Sequence, residues 1–394
     1  MAEESWGHVW WSVITGPRTF IERVTQALCD GRSAVLLLPD TCPWRAEMRS
    51  FSAEAVTARY GLERLSVDPV RVEPTAPGAA AQTPFQFLLE RYALRDAELR
   101  YRESMDPQEF LVEQQVLRNR IVWLEGAGEK ELRAWLAFLS AWRAPSQTDG
   151  LFVCEVPARA VQALVGVARD NVELIDYEEF VSDYSVSLFN GMLVDERAAR
   201  ETSNLKQRYL ESLLTSLCGR DVEVSEALAD DLSALRDDPI AATMSTARYF
   251  EPERGAGDEA HVLSLVRAND RETLERRVWA AQVEVLFPLI ETMRLDVIET
   301  LRPELEELVN LGRVYQYDER VEHVEDVELG TLIYLMARRE ENDERTLRVP
   351  DRTLREKIHL LRACRNDLAH ISACPPEQVR DLLAYATGRA QSPQ

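Results

Sequence analysis

The stretch Leu360-Leu-Arg-Ala-Cys-Arg-Asn-Asp-Leu-Ala-His370-Ile371 decides how the second half of this chain is read. It closes a helix expected over Leu354–Ala369. Arg365 and His370 stand five residues apart. On a regular helix that is about 500° of rotation, roughly 140° off register, so the two do not share one face. They meet if the helix ends or bends near Ala369, or if a dimer axis brings two copies together. The residue types suit cleavage of RNA. An imidazole titrates near neutral pH and takes a proton from a ribose 2′-OH. A guanidinium holds a phosphate and stabilises charge growing on its oxygens. Asn366 is placed to cap backbone groups or orient either partner, and the chemistry needs no metal. A cationic side chain at a helix C-terminus is equally what the helix dipole favours.

The surroundings of this stretch are helical. Arg271–Thr300 carries Val278, Ala281, Val285, Leu289, Thr292 and Leu295 close to helical spacing. Pro303 suits the first turn of another helix. Glu328–Arg339 and Glu377–Thr387 are two more. An up-and-down bundle of four or five helices is expected over 261–388. Upstream, Leu205–Cys218 and Ser225–Arg236 read as amphipathic helices, giving a helical lid or connector over 190–250. Glu251–Glu259 (EPERGAGDE) is rich in Pro, Gly and charge, and predicts a linker at 251–260.

The Arg-x-x-x-x-His element resembles the motif of the HEPN family. The resemblance rests on Arg365, the Asn after it, the closing Ala-His, and a late helix followed by one more; it covers about 262–388. It implies an all-helical domain and metal-independent endoribonuclease activity at a site composed from two domains. Arg365 and His370 would be catalytic and Asn366 supporting. An acidic residue from an earlier helix would complete the site, and Glu284 and Glu291 both qualify. It also implies RNA as substrate, a homodimer through the C-terminal helical domain, and a place among toxin or antiviral defence proteins. Over Arg355–Pro376, four basic residues stand against two acidic ones. Lys357 and Arg362 in this basic island are the candidates for contacting RNA.

The first 189 residues read as an α/β domain. Ala34–Pro39, Arg120–Leu124 and Gly150–Cys154 are short apolar runs of the kind found in buried parallel strands. Phe20–Cys29, Trp44–Tyr60, Pro107–Asn119 and Glu129–Arg143 are helical, and Leu65–Val72 alternates despite Pro69. Strand and helix in turn predict a doubly wound parallel sheet. The order resembles the core of AAA+ P-loop ATPases, with Ala34–Leu38 before the phosphate loop and Glu125 at the strand end that would face a metal. A working loop needs GxxxxGK[ST], whose glycines and lysine bind phosphate. Here Pro39-Asp-Thr-Cys-Pro-Trp-Arg45 stands in its place. Gly126-Ala-Gly-Glu-Lys130 lacks the spacing. A degenerate core that binds a protein partner is the expectation, with Glu125 a solvated strand end and ATP hydrolysis not expected.

Composition narrows the rest. The net charge of −22 argues against nonspecific nucleic-acid binding, because the mean field repels phosphate. An RNA site must therefore be local or need a partner. No long apolar run suggests a membrane span and no signal segment is read at the start. The six cysteines form no CxxC pair and are expected as reduced thiols of a cytoplasmic protein. His8, His261, His323 and His359 are dispersed, so no metal or other cofactor is expected. GxSxG is absent. Trp6, Trp10 and Trp11 are read as packing residues before a partner patch. The acidic run Glu319–Glu328 is read as a solvated face, or else a mimic of nucleic acid that shields the site. Two functions follow: a HEPN ribonuclease joined to a degenerate ATPase-like regulatory domain, or a non-catalytic interaction protein.

Overall fold

Ser33-Ala-Val-Leu-Leu-Leu38 forms β1, the strand on which the N-terminal unit is built. The computed structural model describes residues 5–60, 66–73, 82–93, 100–102, 104–145, 149–164, 170–198, 203–339 and 346–388. Two compact units are present, Met1–Ser185 and Val186–Gln394. Their boundary falls inside helix Asp183–Arg197, a few residues before the expected one.

In the first unit β1 is joined by β2 (Ser66–Arg71), β3 (Arg120–Glu125), β4 (Leu151–Pro157) and β5 (Val172–Asp176). The five lie in the order β2-β3-β4-β1-β5, and every pairing is parallel. Pro69 is accommodated because β2 is an edge strand, where a missing N–H costs little. Helix α1 (Thr15–Cys29) precedes β1 and α2 (Arg45–Tyr60) follows it. The helix Glu129–Ala141 buries Leu132, Trp135, Leu136 and Leu139, the face read from its spacing. Trp10 and Trp11 are fully buried. Trp11 and Tyr177 pack on Phe20 with ring centroids 6.2 and 5.6 Å away. These tryptophans serve the core.

β5 was not expected. Its Val-Glu-Leu-Ile-Asp pattern places an acid in the sheet, and Glu173 is buried there by ion pairs with Arg23 of α1 and with Arg32. Adjacent strands β1 and β4 send their connections in opposite directions, to β2 and β5. Their carboxyl ends therefore form the crevice where parallel sheets bind ligands.

The second unit is helical. Its spine is α3 (Arg271–Thr300), which packs against α4 (Asn204–Cys218) and α5 (Arg352–Ala369). α4 lies on the far side of the expected linker, so 251–260 does not separate a lid from a bundle. Arg254 forms two hydrogen bonds to buried Asp221, of 2.8 and 2.7 Å. Arg267 donates to the carbonyls of Arg254 and Glu251. The polar composition resembles a linker, and its acids are indeed exposed, but Arg254 is turned inward onto Asp221. The expected helix Ser225–Arg236 is also two, Val222–Ala229 and Leu232–Asp237, because Asp231 caps a second start by accepting from Ala234 N at 2.9 Å.

In the acidic run, Tyr315–Gln316 and Glu319–Arg320 pair as a small antiparallel hairpin. Tyr317 and Asp318 both take positive φ, the signature of a two-residue type I′ turn. Val321, Val324 and Val327 then turn inward every third residue while the intervening acids stay in water.

Candidate functional site

α5 is anchored by a buried stripe of Ile358, Leu361, Cys364 and Leu368. Asp351 caps its start, accepting from Thr353 N at 2.8 Å. The end is a Schellman turn: Ser372 N bonds Asp367 O at 2.9 Å and Ile371 takes φ +59°. That conformation is strained for a β-branched residue. Two side chains of α3 hold the turn from either side. Trp279 Nε1 donates to Leu368 O at 2.8 Å. Gln282 clasps Cys374, accepting from its N at 2.7 Å and donating to its O at 3.2 Å.

Within this frame Arg365 and Asn366 flank the buried stripe and line a cleft of about 640 Å³ together with Arg362. Among the described residues neither arginine has an ion-pair partner. α3 contributes Phe287, Glu291 and Arg294 to the same cleft. The other wall comes from the hairpin and its continuation, with Tyr317, Glu325, Asp326 and Glu328. Glu291 is held by Arg294 at 2.8 Å, and Arg294 also donates to Glu325 O and Val327 O. Glu325 is paired with Arg302 at 2.8 Å. Two unpartnered arginines thus share the cleft with two carboxylates, Asp326 and Glu328, that have no basic ion-pair partner among the described residues.

The sequence-derived candidates divide accordingly. Arg365, Asn366, Arg362 and Glu291 come together. Glu284 does not; it is exposed and accepts from Ser212 Oγ at 2.7 Å, turned toward α4. Lys357 and His359 are not among the cleft residues. His370 is exposed at the helix cap and also lies outside the cleft. The helix ends at Ala369 with His370 as its cap, and among the described residues no hydrogen bond joins the Arg365 and His370 side chains. Arg294, Phe287 and Tyr317 were missed as cleft residues. For Arg294 the signal was its position one turn after Glu291.

In the first unit the loop after β1 is tied to nearby arginines. Arg45 Nη2 folds back onto Pro39 O at 2.6 Å and Asp40 O at 3.2 Å. Arg159 pairs with Asp40 at 3.4 Å. Behind them buried Glu155 accepts two hydrogen bonds from Arg49, of 2.8 and 3.0 Å, and one from Trp123 Nε1 at 2.7 Å. Glu125 also pairs with Arg49, so it is not the solvated strand end expected of it.

Among the described residues no cluster of three His, Cys, Asp or Glu is arranged to hold a metal ion. None of their helices is long and apolar enough to cross a membrane. The class these features define is a parallel α/β unit followed by a helical unit with an arginine-lined cleft. No protein-family model, curated protein or solved structure matches the chain.

Proposed function

We propose that the helical unit is a HEPN-type, metal-independent endoribonuclease that works as a pair of copies. Arg365 carries the reading: without an ion-pair partner among the described residues, it sits beside Arg362 and Asn366 in an open cleft, at the end of the helix that presents His370. Arg365 lines the cleft and His370 stands outside its lining at the helix end, and the active centre joins the cleft of one copy to the helix end of another. There His370 takes the proton of a ribose 2′-OH, and the oxygen attacks the adjacent phosphorus. The 5′-oxygen leaves, taking a proton from water, and a 2′,3′-cyclic phosphate remains. Arg365 stabilises the charge on the non-bridging oxygens, and Arg362 holds the neighbouring phosphate. Glu291 acts through Arg294 as support for the cleft wall. The α/β unit, a degenerate relative of the AAA+ core, regulates this activity or binds a partner, as in toxin and antiviral defence systems.

A specific observation favours a second reading. Asp326 and Glu328 stand in the same cleft as the arginines, and charge of that sign weakens phosphate binding. In that reading the helical unit dimerises or docks a partner and cleaves nothing. Incubation with tRNA and mixed cellular RNA in EDTA separates the two. The ribonuclease yields 2′,3′-cyclic phosphate ends; the interaction protein leaves the RNA intact.

A further inference from the structure

A second cleft of about 430 Å³ adjoins the arginine cleft and shares Gln316, Tyr317, Glu328 and Gly330 with it. It is lined by Tyr315, Tyr317 and Tyr334, which are 57%, 78% and 57% exposed. The charged residues in its lining are Asp318 and Glu328. Among the described residues neither has a basic ion-pair partner, and Glu328 Oε2 accepts a hydrogen bond from the Tyr317 hydroxyl at 3.1 Å. Aromatic rings are electron-rich on their faces and attract cations, most strongly when a carboxylate stands near. A nucleic-acid strand stacking on the same rings would set its phosphates against both carboxylates. At the end of the helix Leu329–Ala337, which supplies Tyr334, the chain itself shows this mode: the guanidinium of Arg338 lies 5.9 Å from the centre of the Tyr334 ring.

We propose that this tyrosine cleft docks an arginine side chain from a basic segment of a protein partner. The guanidinium lies on the tyrosine rings and donates to Glu328 and Asp318. Its planar, forked shape suits both contacts better than the point charge of lysine. Glu328 lines both clefts, so its neutralisation leaves Arg362 and Arg365 freer to attract phosphate, and the docked partner strengthens RNA binding. That last consequence rests on the ribonuclease reading; the docking itself does not.

The test uses the full chain and an acetylated, amidated peptide Gly-Arg-Gly-Arg-Gly, titrated by calorimetry without RNA. Saturable binding is expected, about tenfold weaker when citrulline replaces arginine. A loss of about tenfold is also expected for Tyr317→Leu and for Asp318→Asn combined with Glu328→Gln. The altered side chains are solvent-accessible, and matching unfolding curves would show that both variants are folded. No saturable binding, equal binding of the citrulline peptide, or full affinity in both variants overturns the proposal. So does an oligouridylate that binds wild type and is lost in Tyr317→Leu, which would give the tyrosines to nucleic acid. If the arginine peptide binds as expected while RNA does not bind at all, the docking stands and the ribonuclease reading falls.

Discussion

Trp279 donates its indole N–H to the main-chain oxygen of Leu368 at 2.8 Å, fastening the last turn of α5 to α3 two residues before His370. One turn along α3, Gln282 clasps the backbone of Cys374. The segment bearing His370 is therefore held at both ends by one helix, and the imidazole is presented from a fixed turn rather than a loose loop. Trp279→Phe removes one hydrogen bond and is expected to cost about 1 kcal/mol. Gln282→Leu leaves a buried N–H and C=O without partners, at about 2–4 kcal/mol. Urea unfolding should show lower midpoints at unchanged slope, with the larger fall for Gln282→Leu. Equal midpoints for both variants and wild type would remove the clasp from the account.

Ile371 is the one position in this turn where the residue opposes its backbone. Its left-handed φ of +59° suits glycine, and its side chain is 63% exposed, so little packing is lost on removal. Ile371→Gly is expected to raise stability by about 1 kcal/mol. If Ile371 aids catalysis, cleavage falls as stability rises. Paired unfolding and cleavage measurements read both, and a less stable variant would contradict the strain.

Much of this was legible beforehand. The apolar runs of β1, β3 and β4, the stripe on Glu129–Ala141 and the long helix Arg271–Thr300 follow from hydrophobic spacing alone. What escaped notice depended on polar groups that find partners only in three dimensions. Glu173 hides β5 because Arg23 and Arg32 neutralise it from other parts of the unit. Arg254 makes 251–260 resemble a linker because Asp221 lies 33 residues away in sequence. The choice between Glu284 and Glu291 likewise turned on which neighbour each meets, Ser212 or Arg294.

Asp221 makes a sharp prediction about pH. Burial pushes its carboxyl up, but hydrogen bonds from His261 and Arg254, with the charge of Arg254, outweigh burial and hold it below the usual range. His261 Nδ1 accepts from Leu263 N, so Nε2 carries the hydrogen given to Asp221. Glu223 completes the cluster by pairing with Arg254 at 2.6 Å. A lowered folded value means the stabilisation is present above about pH 4, the unfolded value, and is lost as pH falls through the folded one. Asp221→Asn should cost about 3–5 kcal/mol at pH 7, and the gap to wild type should narrow as pH falls below about 4. Denaturant unfolding across that range checks it; a gap that does not narrow would contradict the assignment.

The loop after β1 carries its own expectation. It lacks the glycines and lysine of a phosphate loop, and its neighbours Arg45 and Arg159 are engaged by Pro39 O, Asp40 O and the Asp40 carboxylate, so Mg-ATP finds neither cradle nor counter-charge there. A site holding ATP at a hundred times its dissociation constant would add about 2.7 kcal/mol. Millimolar Mg-ATP is expected to leave the melting temperature of the full chain unchanged, and an upward shift would restore nucleotide binding.

The central claim is that an active centre forms from Arg365 of one copy and His370 of another. Its most direct test is RNA cleavage in EDTA by wild type, Arg365→Ala, His370→Ala, and a mixture of the two variants. Wild type is expected to cleave, each variant alone to be inactive, and the mixture to regain activity, because a mixed pair rebuilds one intact centre. A mixture as inactive as its separate components would contradict the shared centre, and no cleavage by wild type would contradict the ribonuclease itself.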